Sequence, residues 1–271
     1  MFLAMFYLKH WFNSEKPLFD HYPLSILKEN DIYFPSSYGI IILDHSKSSI
    51  NKWLTEPVWS RAIICACADG GSNELREFTL EREKERLGRF TPDFISGDFD
   101  SISSDTKQFY EQKFNVPLVV TGDQDATDFT KCLQELQKRI NHESLKHIYV
   151  FCTFGGRFDQ AMSIINTLYL YPDLHIFLIS DCDITFLLKP GLNLIHQIRS
   201  PMCGKYCSLI PFNGPLKVVT SGLQWNLNEQ MELNFTTLIS TSNAYIEDED
   251  DFVTISTHQS LIWSMTLSKE D

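Results

Sequence analysis

Positive charge is scarce in this sequence of 271 residues. It has 23 lysine and arginine residues against 35 aspartate and glutamate residues, a formal net charge of -12. Proteins that bind nucleic acid neutralise backbone phosphates with lysine and arginine, so this balance argues against a nucleic-acid partner. A phosphorylated small molecule stays open as a ligand, because a bound divalent cation can reverse the local sign of the charge.

Zinc motifs and long apolar runs are also missing. The seven cysteines form no pair of Cys-x-x-Cys motifs, and no His-Glu-x-x-His occurs, which argues against a zinc site and favours buried, reduced thiols. The apolar residues 1–8 fall far short of the ~18–20 residues of a membrane span. They also lack the basic residues and the cleavage site of a secretory signal. We therefore expect a cytoplasmic protein with no membrane association.

The apolar pattern predicts two domains after an N-terminal extension, residues 1–37. Over residues 38–190, short apolar runs alternate with amphipathic stretches, which is typical of a mostly parallel sheet covered by helices. We expect a Rossmann-like, three-layer α/β domain there. After Pro190-Gly191 the runs become short, β-prone and separated by turns, so an antiparallel β-sandwich is predicted for residues 191–271.

Most predicted elements follow from this alternation. In the first domain, strands are predicted at 39–43, 62–68, 93–96, 116–121, 148–153, 175–179 and 184–188, and helices at 46–56, 72–87, 103–114, 126–140 and 157–170. In the second domain, β runs are predicted at 206–211, 216–220, 231–235, 237–242, 252–257 and 261–267.

Four polar loops follow successive strands of the predicted parallel sheet. They comprise residues 69–73, 97–101, 123–128 and 155–160, and each contains aspartate or paired glycines. The carboxyl ends of parallel strands meet at one edge of a sheet, where such folds bind their ligands. The four loops together predict a ligand site at that edge.

Asp98 and Asp100 are the first candidate metal ligands. Residues two apart in an extended backbone point the same way, so both carboxylates can reach one ion. Mg²⁺ is usually held by one or two carboxylates together with substrate phosphates. The structural alternative is that Asp100 or Ser101 caps the helix that starts near Ser103.

The second acidic loop contains Asp123, Asp125 and Asp128. Asp125 and Asp128 are spaced by three at the start of a predicted helix, where the helix dipole favours carboxylates for stability alone. Three aspartates exceed what capping requires, and together they favour a functional site. Lys131, one turn later on the same face, is placed to touch a phosphate.

Paired glycines and an arginine indicate phosphate binding. Gly70-Gly71 and Gly155-Gly156 each follow a strand, where glycine lets backbone N–H groups approach phosphate oxygens. Tight turns without a ligand are the alternative, and neither pair matches the common phosphate-binding loop motifs. Arg157 offers a planar fork for phosphate.

Trp225 lies in the β-rich region, where a tryptophan is typical of a core. The functional alternative is an aromatic surface for a flat, cationic ring. Ser240 and Ser242 alternate along a nearby predicted strand and offer hydroxyl groups to the same ligand.

Taken in order, these segments resemble the signature segments of the thiamine pyrophosphokinases. The resemblance covers residues 38–267 and rests on 68–73, 97–101, 123–133, 155–160, 222–227, 240–243 and 260–265. Two departures are Ser72, where alanine is common, and Asp44, where the first strand often ends in asparagine.

The resemblance implies a homodimer with active sites between subunits, which converts ATP and thiamine to AMP and thiamine diphosphate. It implies Mg²⁺ at Asp98, Asp100 and Asp128, and thiamine at Gln124, Trp225, Ser240 and Ser242. For ATP it implies Asp69, Gly70, Gly71, Asn73, Thr127, Lys131 and Asp159. Catalysis would involve Asp98, Asp100, Asp125, Asp128 and Arg157, with Asp125 or Asp128 accepting or orienting the hydroxyl proton.

Two other functions remain open from the sequence. A nucleotide-sugar transferase also uses Asp-x-Asp to bind a metal that bridges a diphosphate, but it leaves the loops at 123–128 and 155–160 unexplained. The other alternative is a thiamine- or nucleotide-binding protein without turnover.

Overall fold

The computed structural model describes residues 17–82, 88–122, 125–140, 145–247 and 250–268. These residues form two compact units, an α/β unit within 29–182 and a β unit that combines 17–28 with 183–268. The first strand, β1 (Leu18–His21), thus belongs with the C-terminal part of the chain. The domain boundaries drawn from the sequence, after residues 37 and 190, stay predictions.

Parallel strands form the sheet of the α/β unit. Within the described residues they pair in the order β7-β6-β2-β3-β4-β5, and every pairing is parallel. The central strands β2 and β3 are buried along their whole length, as expected for a sheet covered on both faces. The strands are β2 (Tyr38–Ile42), β3 (Ile64–Ala68), β4 (Phe94–Gly97), β5 (Leu118–Val120), β6 (His147–Phe151) and β7 (His175–Ile179).

Helices cover this sheet, and the predicted α/β class is confirmed. The helices are α1 (Lys47–Trp53), α2 (Glu56–Ser60), α3 (Gly71–Arg82), α4 (Ser104–Gln108), α5 (Asp128–Arg139) and α6 (Phe158–Leu170). Helix α5 packs on β3 and β4. Its buried residues Phe129, Leu133 and Leu136 are three or four positions apart, so they lie on one face of the helix. No helix among the described residues is long and apolar enough to cross a membrane.

Two predicted helices differ from the observed ones. The helix expected at 46–56 is two short helices, because Thr55 is extended and Pro57 lies in the first turn of α2, where its fixed φ suits a helix start. The helix expected at 103–114 is α4 followed by a π-helical turn, Phe109–Lys113.

The β unit contains two sheets. One has the strand order β1-β9-β14-β11-β12, and the other includes β13-β10-β15-β8. The strands are β8 (Asp183–Leu188), β9 (Gly191–His196), β10 (Cys203–Ile210), β11 (Leu216–Ser221), β12 (Glu232–Leu233), β13 (Ser240–Ala244), β14 (Phe252–Thr257) and β15 (Leu261–Leu267). The predicted antiparallel character holds for most of these pairings.

The pairing of β1 with β9 is parallel and was not predicted. A Cβ on Gly191 would lie 2.5 Å from the carbonyl oxygen of Pro17, so glycine permits the two backbones to meet. His21 is buried and hydrogen-bonds the Asn193 side chain at 3.0 Å. This part of the N-terminal extension is therefore an integral strand of the β unit.

Candidate active site

Three carboxylates meet at the carboxyl ends of β3 and β4. One oxygen from each of Asp69, Asp98 and Asp100 lies within 4.8 Å of the others. Asp69 is buried, whereas Asp98 and Asp100 are exposed. The sequence indicated Asp98 and Asp100 as a pair, and the structure adds Asp69 to this group. The metal role that the resemblance implies for Asp128 stays a prediction. We call these three residues the carboxylate cluster.

Asp69 anchors the loop that carries the other two carboxylates. Its Oδ1 accepts a hydrogen bond from the backbone N–H of Ile102 at 3.0 Å, and its Oδ2 accepts one from Ser101 at 3.2 Å. Burial nevertheless raises the pKa of Asp69 to about 6, and the negative charge of Asp128 contributes to the rise. A cation among the three carboxylates would favour the ionised form. The donor set of hard oxygens fits a divalent cation such as Mg²⁺.

The pKa of Asp100 is shifted in the opposite direction to that of Asp69. The Ser101 hydroxyl donates a hydrogen bond to Asp100 Oδ1 at 2.8 Å, and this bond lowers the pKa of the exposed carboxyl. The helix that follows is capped by Ser103, whose hydroxyl accepts a hydrogen bond from Thr106 N–H. Neither Asp100 nor Ser101 caps α4, so the capping alternative does not explain the carboxylates.

Asn73 supports the same loop. Its side-chain amide donates to the carbonyl of Ser101 at 2.9 Å, and its carbonyl oxygen accepts from the N–H of Ser103 at 3.0 Å. Lys107 donates to the carbonyl of Phe99, a non-glycine residue with φ of 66°. Asn73 thus uses both ends of its carboxamide to hold the loop, and its predicted contact with ATP stays a prediction.

Close packing explains two of the glycines. A Cβ on Gly71 would lie 2.3 Å from the carbonyl oxygen of Ile42, so glycine lets α3 begin against the end of β2. A Cβ on Gly97 would lie 2.8 Å from that of Asp69. Gly97 therefore keeps Asp69 close to the loop of Asp98 and Asp100.

The second acidic loop begins α5. Thr127 is its N-cap and accepts a hydrogen bond from Thr130 N–H. The side chain of Lys131 is 5% exposed and its ammonium lies 2.8 Å from Asp128 Oδ1, whereas the Asp128 side chain is 37% exposed. Burying a lone ammonium is costly, so Asp128 stabilises the charge of Lys131. Asp125 is exposed, and Asp123 and Gln124 lie outside the described residues.

A cleft of about 170 Å³ opens at this edge of the sheet. Its polar wall includes Asp69 and Gly70 after β3, Ser101 after β4, Asp128 on α5 and Arg157 after β6. Its apolar wall includes Leu43, Phe129, Ala161 and Ile164. The predicted gathering of polar loops at the carboxyl edge is therefore observed, and the cleft offers both polar and apolar surfaces to a ligand.

Arg157 lies at the cleft with its guanidinium engaged. It contacts Asp159 through Nη2–Oδ2 at 2.5 Å and Nε–Oδ1 at 3.1 Å, and both side chains are exposed. This pair raises the pKa of Arg157 and lowers the pKa of Asp159. A phosphate group would compete with Asp159 for the planar fork.

Trp225 belongs to the β unit and is 58% exposed, so it is not a core residue. The two predicted serines differ: Ser240 is buried, while Ser242 is exposed with φ of 54°. This left-handed residue interrupts the regular alternation that the sequence suggested. Asn243 is buried and hydrogen-bonds both Trp225 and Ser240, and the sequence predicts no separate role for it within the segment 240–243.

Comparison with known proteins gives a consistent result. Residues 55–178 match the family model "Thiamin pyrophosphokinase, catalytic domain", and residues 195–262 match "Thiamin pyrophosphokinase, vitamin B1 binding domain". The chain is 35% identical over 241 residues to thiamine pyrophosphokinase 1 of Arabidopsis thaliana, covering 86% of this chain and 87% of that protein. It is 37% identical to thiamine pyrophosphokinase 3 of Oryza sativa subsp. japonica, covering 86% and 88%.

Solved structures agree on the fold. The chain is similar to thiamin pyrophosphokinase from Candida albicans, with a TM-score of 0.72, 25% identity and coverage of 93% of this chain and 94% of that one. The yeast thiamin pyrophosphokinase structure gives a TM-score of 0.75 at 22% identity, with coverage of 92% and 91%.

Proposed function

We propose how the residues of this site share one reaction, on the premise that the chain belongs to the thiamine pyrophosphokinase family. The enzyme transfers pyrophosphate from ATP to thiamine, giving thiamine diphosphate and AMP. The carboxylate cluster beside the cleft carries the proposal, since polyphosphate transfer requires a site for a divalent cation. Membership of the family makes a nucleotide-sugar transferase or a binding protein without turnover the weaker alternatives.

Asp69, Asp98 and Asp100 are proposed to hold Mg²⁺, since their oxygens converge and are of the type that this ion prefers. Bound Mg²⁺ would offset negative charge on the phosphates of ATP during transfer. Asp128, the third ligand implied by the resemblance, stays a candidate for this role. Its ion pair with Lys131 equally suits a place beside the reacting groups.

Lys131 and Arg157 are the proposed contacts of the ATP phosphates. Lys131 lies behind Asp128 at the first turn of α5, and Arg157 lines the cleft. The Gly70–Gly71 turn leads into α3, whose N-terminal N–H groups and dipole favour an anion. Thr127, Asn73 and Asp159 complete the proposed nucleotide contacts.

Asp125 or Asp128 is proposed to accept or orient the proton of the attacking thiamine hydroxyl. The contact with Lys131 fixes the Asp128 carboxylate at the start of α5, next to the cleft. A positioned carboxylate there would direct the hydroxyl oxygen towards the β-phosphorus of ATP while AMP leaves.

The thiamine ring is proposed to lie on Trp225. Thiamine is a cation, and an exposed indole face attracts a cation while it covers a flat ring. Ser240, Ser242 and Gln124 are the proposed polar contacts. A net negative charge of -12 suits a cationic substrate as well.

A homodimer with active sites between subunits and a cytoplasmic location are also proposed. Large exposed apolar side chains such as Trp225 and Phe235 favour a contact surface, and all seven cysteines are free, as is usual in a reducing compartment. Sedimentation of the purified protein and fractionation of cells test these two points. A monomer at the concentrations of the assay would overturn the first.

The reaction is tested by incubating the purified protein with ATP, Mg²⁺ and thiamine and measuring AMP and thiamine diphosphate. Asp100→Asn should abolish both products, whereas Asp105→Asn, a change of an exposed aspartate on α4 outside the cluster, should leave them unchanged. Folded protein that forms neither product would overturn the proposal. Release of a sugar from a nucleotide sugar would support the transferase alternative.

A further inference from the structure

We propose that Asn243 is a positioning residue that fixes Trp225 and Ser240 for thiamine binding. This inference rests on the proposed role of Trp225 as the surface for the thiamine ring. Asn243 belongs to β13, whereas Trp225 lies in the segment between β11 and β12, so the two are 18 residues apart in the chain.

Asn243 pairs with the backbone of Trp225 in both directions. Its Oδ1 accepts a hydrogen bond from Trp225 N–H at 3.2 Å, and its Nδ2 donates one to the Trp225 carbonyl at 2.9 Å. The carboxamide thus bonds Trp225 as the backbone of a neighbouring strand would. Asn243 is 2% exposed, so its carboxamide is shielded from water, and a hydrogen bond that it fails to make is costly.

The same carboxamide reaches the second predicted thiamine contact. Its Nδ2 also donates to the Ser240 hydroxyl at 3.1 Å, and its Oδ1 accepts from Ala244 N–H at 2.9 Å. The side chain therefore makes four hydrogen bonds, and two of its three partner residues are assigned to thiamine. It couples the position of the Trp225 backbone to the position of the Ser240 hydroxyl.

The Trp225 ring depends on this support because it is exposed and little packing holds it. The two residues before Trp225 are held at the end of β13. The N–H of Gln224 donates a hydrogen bond to the Ala244 carbonyl at 2.7 Å, and Leu223 forms an isolated antiparallel β-bridge with Tyr245. Asn243 adds the anchor at Trp225 itself. Fixing the backbone before the ligand arrives lowers the entropy that binding costs.

Asn243→Asp is the test substitution, since it keeps the shape and Oδ1 while it removes the donor to Trp225 and Ser240. Asn193→Asp is the matched control. Asn193 is equally buried in the same unit, and its Nδ2 donates to the carbonyl of Lys189 at 3.0 Å, but it has no bond to Trp225. Asn243→Ser, too short to reach the Trp225 carbonyl, is the second variant if the first does not fold.

Asn243→Asp should raise the KM for thiamine about tenfold, the ratio that corresponds to about 1.4 kcal/mol, with kcat and the KM for ATP little changed. Calorimetric titration with thiamine should show the same loss of affinity. Asn193→Asp should leave the KM for thiamine unchanged even where it lowers the unfolding temperature equally. Equal effects of the two substitutions on thiamine would overturn the inference, because a structural role alone would then suffice.

Trp225→Ala separates this inference from the proposed function on which it rests. If Trp225→Ala leaves thiamine binding unchanged, the proposed role of Trp225 is wrong. If Trp225→Ala weakens binding but Asn243→Asp does not, the positioning role alone fails. Adding Asn243→Asp to Trp225→Ala should cause a smaller loss than Asn243→Asp alone, since the part of its effect that acts through Trp225 is then already lost and only the part through Ser240 is left.

Discussion

Replacing Asp128 with asparagine should destabilise the protein more than replacing Lys131 with methionine. Asp128→Asn leaves the buried Lys131, whose side chain is 5% exposed, without the anionic partner that lies 2.8 Å from its ammonium in the native protein. Losing one partner of a fully buried pair costs about 3–5 kcal/mol. Here the carboxylate is 37% exposed, and asparagine can still accept a hydrogen bond, so we expect about 2 kcal/mol.

Lys131→Met removes the buried charge at similar volume and leaves Asp128 where water reaches it, so the expected cost is below about 1 kcal/mol. Thermal unfolding followed by circular dichroism measures the loss of stability in both variants. A loss of about 2 kcal/mol corresponds to a fall in the unfolding temperature of roughly 4–8 °C for a unit of 150–250 residues. The double variant Asp128→Asn/Lys131→Met should recover most of the stability lost in Asp128→Asn. An equal or larger loss in Lys131→Met would refute the reasoning, because an orphaned ammonium would not then dominate.

Three further predictions concern the cluster and the phosphate contacts. Gly97→Ala should lower the unfolding temperature and weaken the binding of Mn²⁺, because the Cβ of the new alanine would lie 2.8 Å from the Cβ of Asp69. Electron paramagnetic resonance measures the binding of Mn²⁺, and unchanged binding would contradict the packing argument. Mg²⁺ should raise the unfolding temperature at neutral pH, and this effect should weaken as the pH falls below about 6. Burial raises the pKa of Asp69 to about 6, so below that pH protons compete with the ion for this carboxyl. Arg157→Met should raise the KM for ATP about tenfold, because it removes a proposed phosphate contact. The unfolding temperature should not change, because the ion pair of Arg157 with Asp159 is exposed. An unchanged KM would show that Arg157 does not bind phosphate.

The sequence predicted the bounds of three strands to the residue. The predicted strands at 175–179, 252–257 and 261–267 coincide with β7, β14 and β15. The sequence does not predict β1, because Leu18–His21 is mostly exposed and carries no apolar alternation. It does not predict β9 either, because Pro190-Gly191, where β9 begins, is typical of a turn. The parallel pairing of β1 and β9 joins residues more than 170 positions apart, which local patterns do not encode.

The same limit applies to the site. Parallel strands bring their carboxyl ends together whatever their exact register, so the meeting of the polar loops could be predicted. That Asp69 joins Asp98 and Asp100 depends on the register of Ala68 opposite Ser96 and on the missing side chain of Gly97. Asn243 left one weak signal, an asparagine in a predicted β region, where this residue is uncommon.

The charges of the cleft support the proposal that ATP binds together with a metal ion. Arg157 lines the cleft, and Lys131 lies next to Asp128, which also lines it. Both cations are already paired with an aspartate, Arg157 with Asp159 and Lys131 with Asp128. The carboxylate cluster adds negative charge at the same edge of the sheet, so on this proposal the side chains alone would bind the polyanion ATP weakly. The cation that accompanies ATP must supply the balance. A net charge of -12 likewise favours the approach of a cationic substrate such as thiamine over that of a free polyanion.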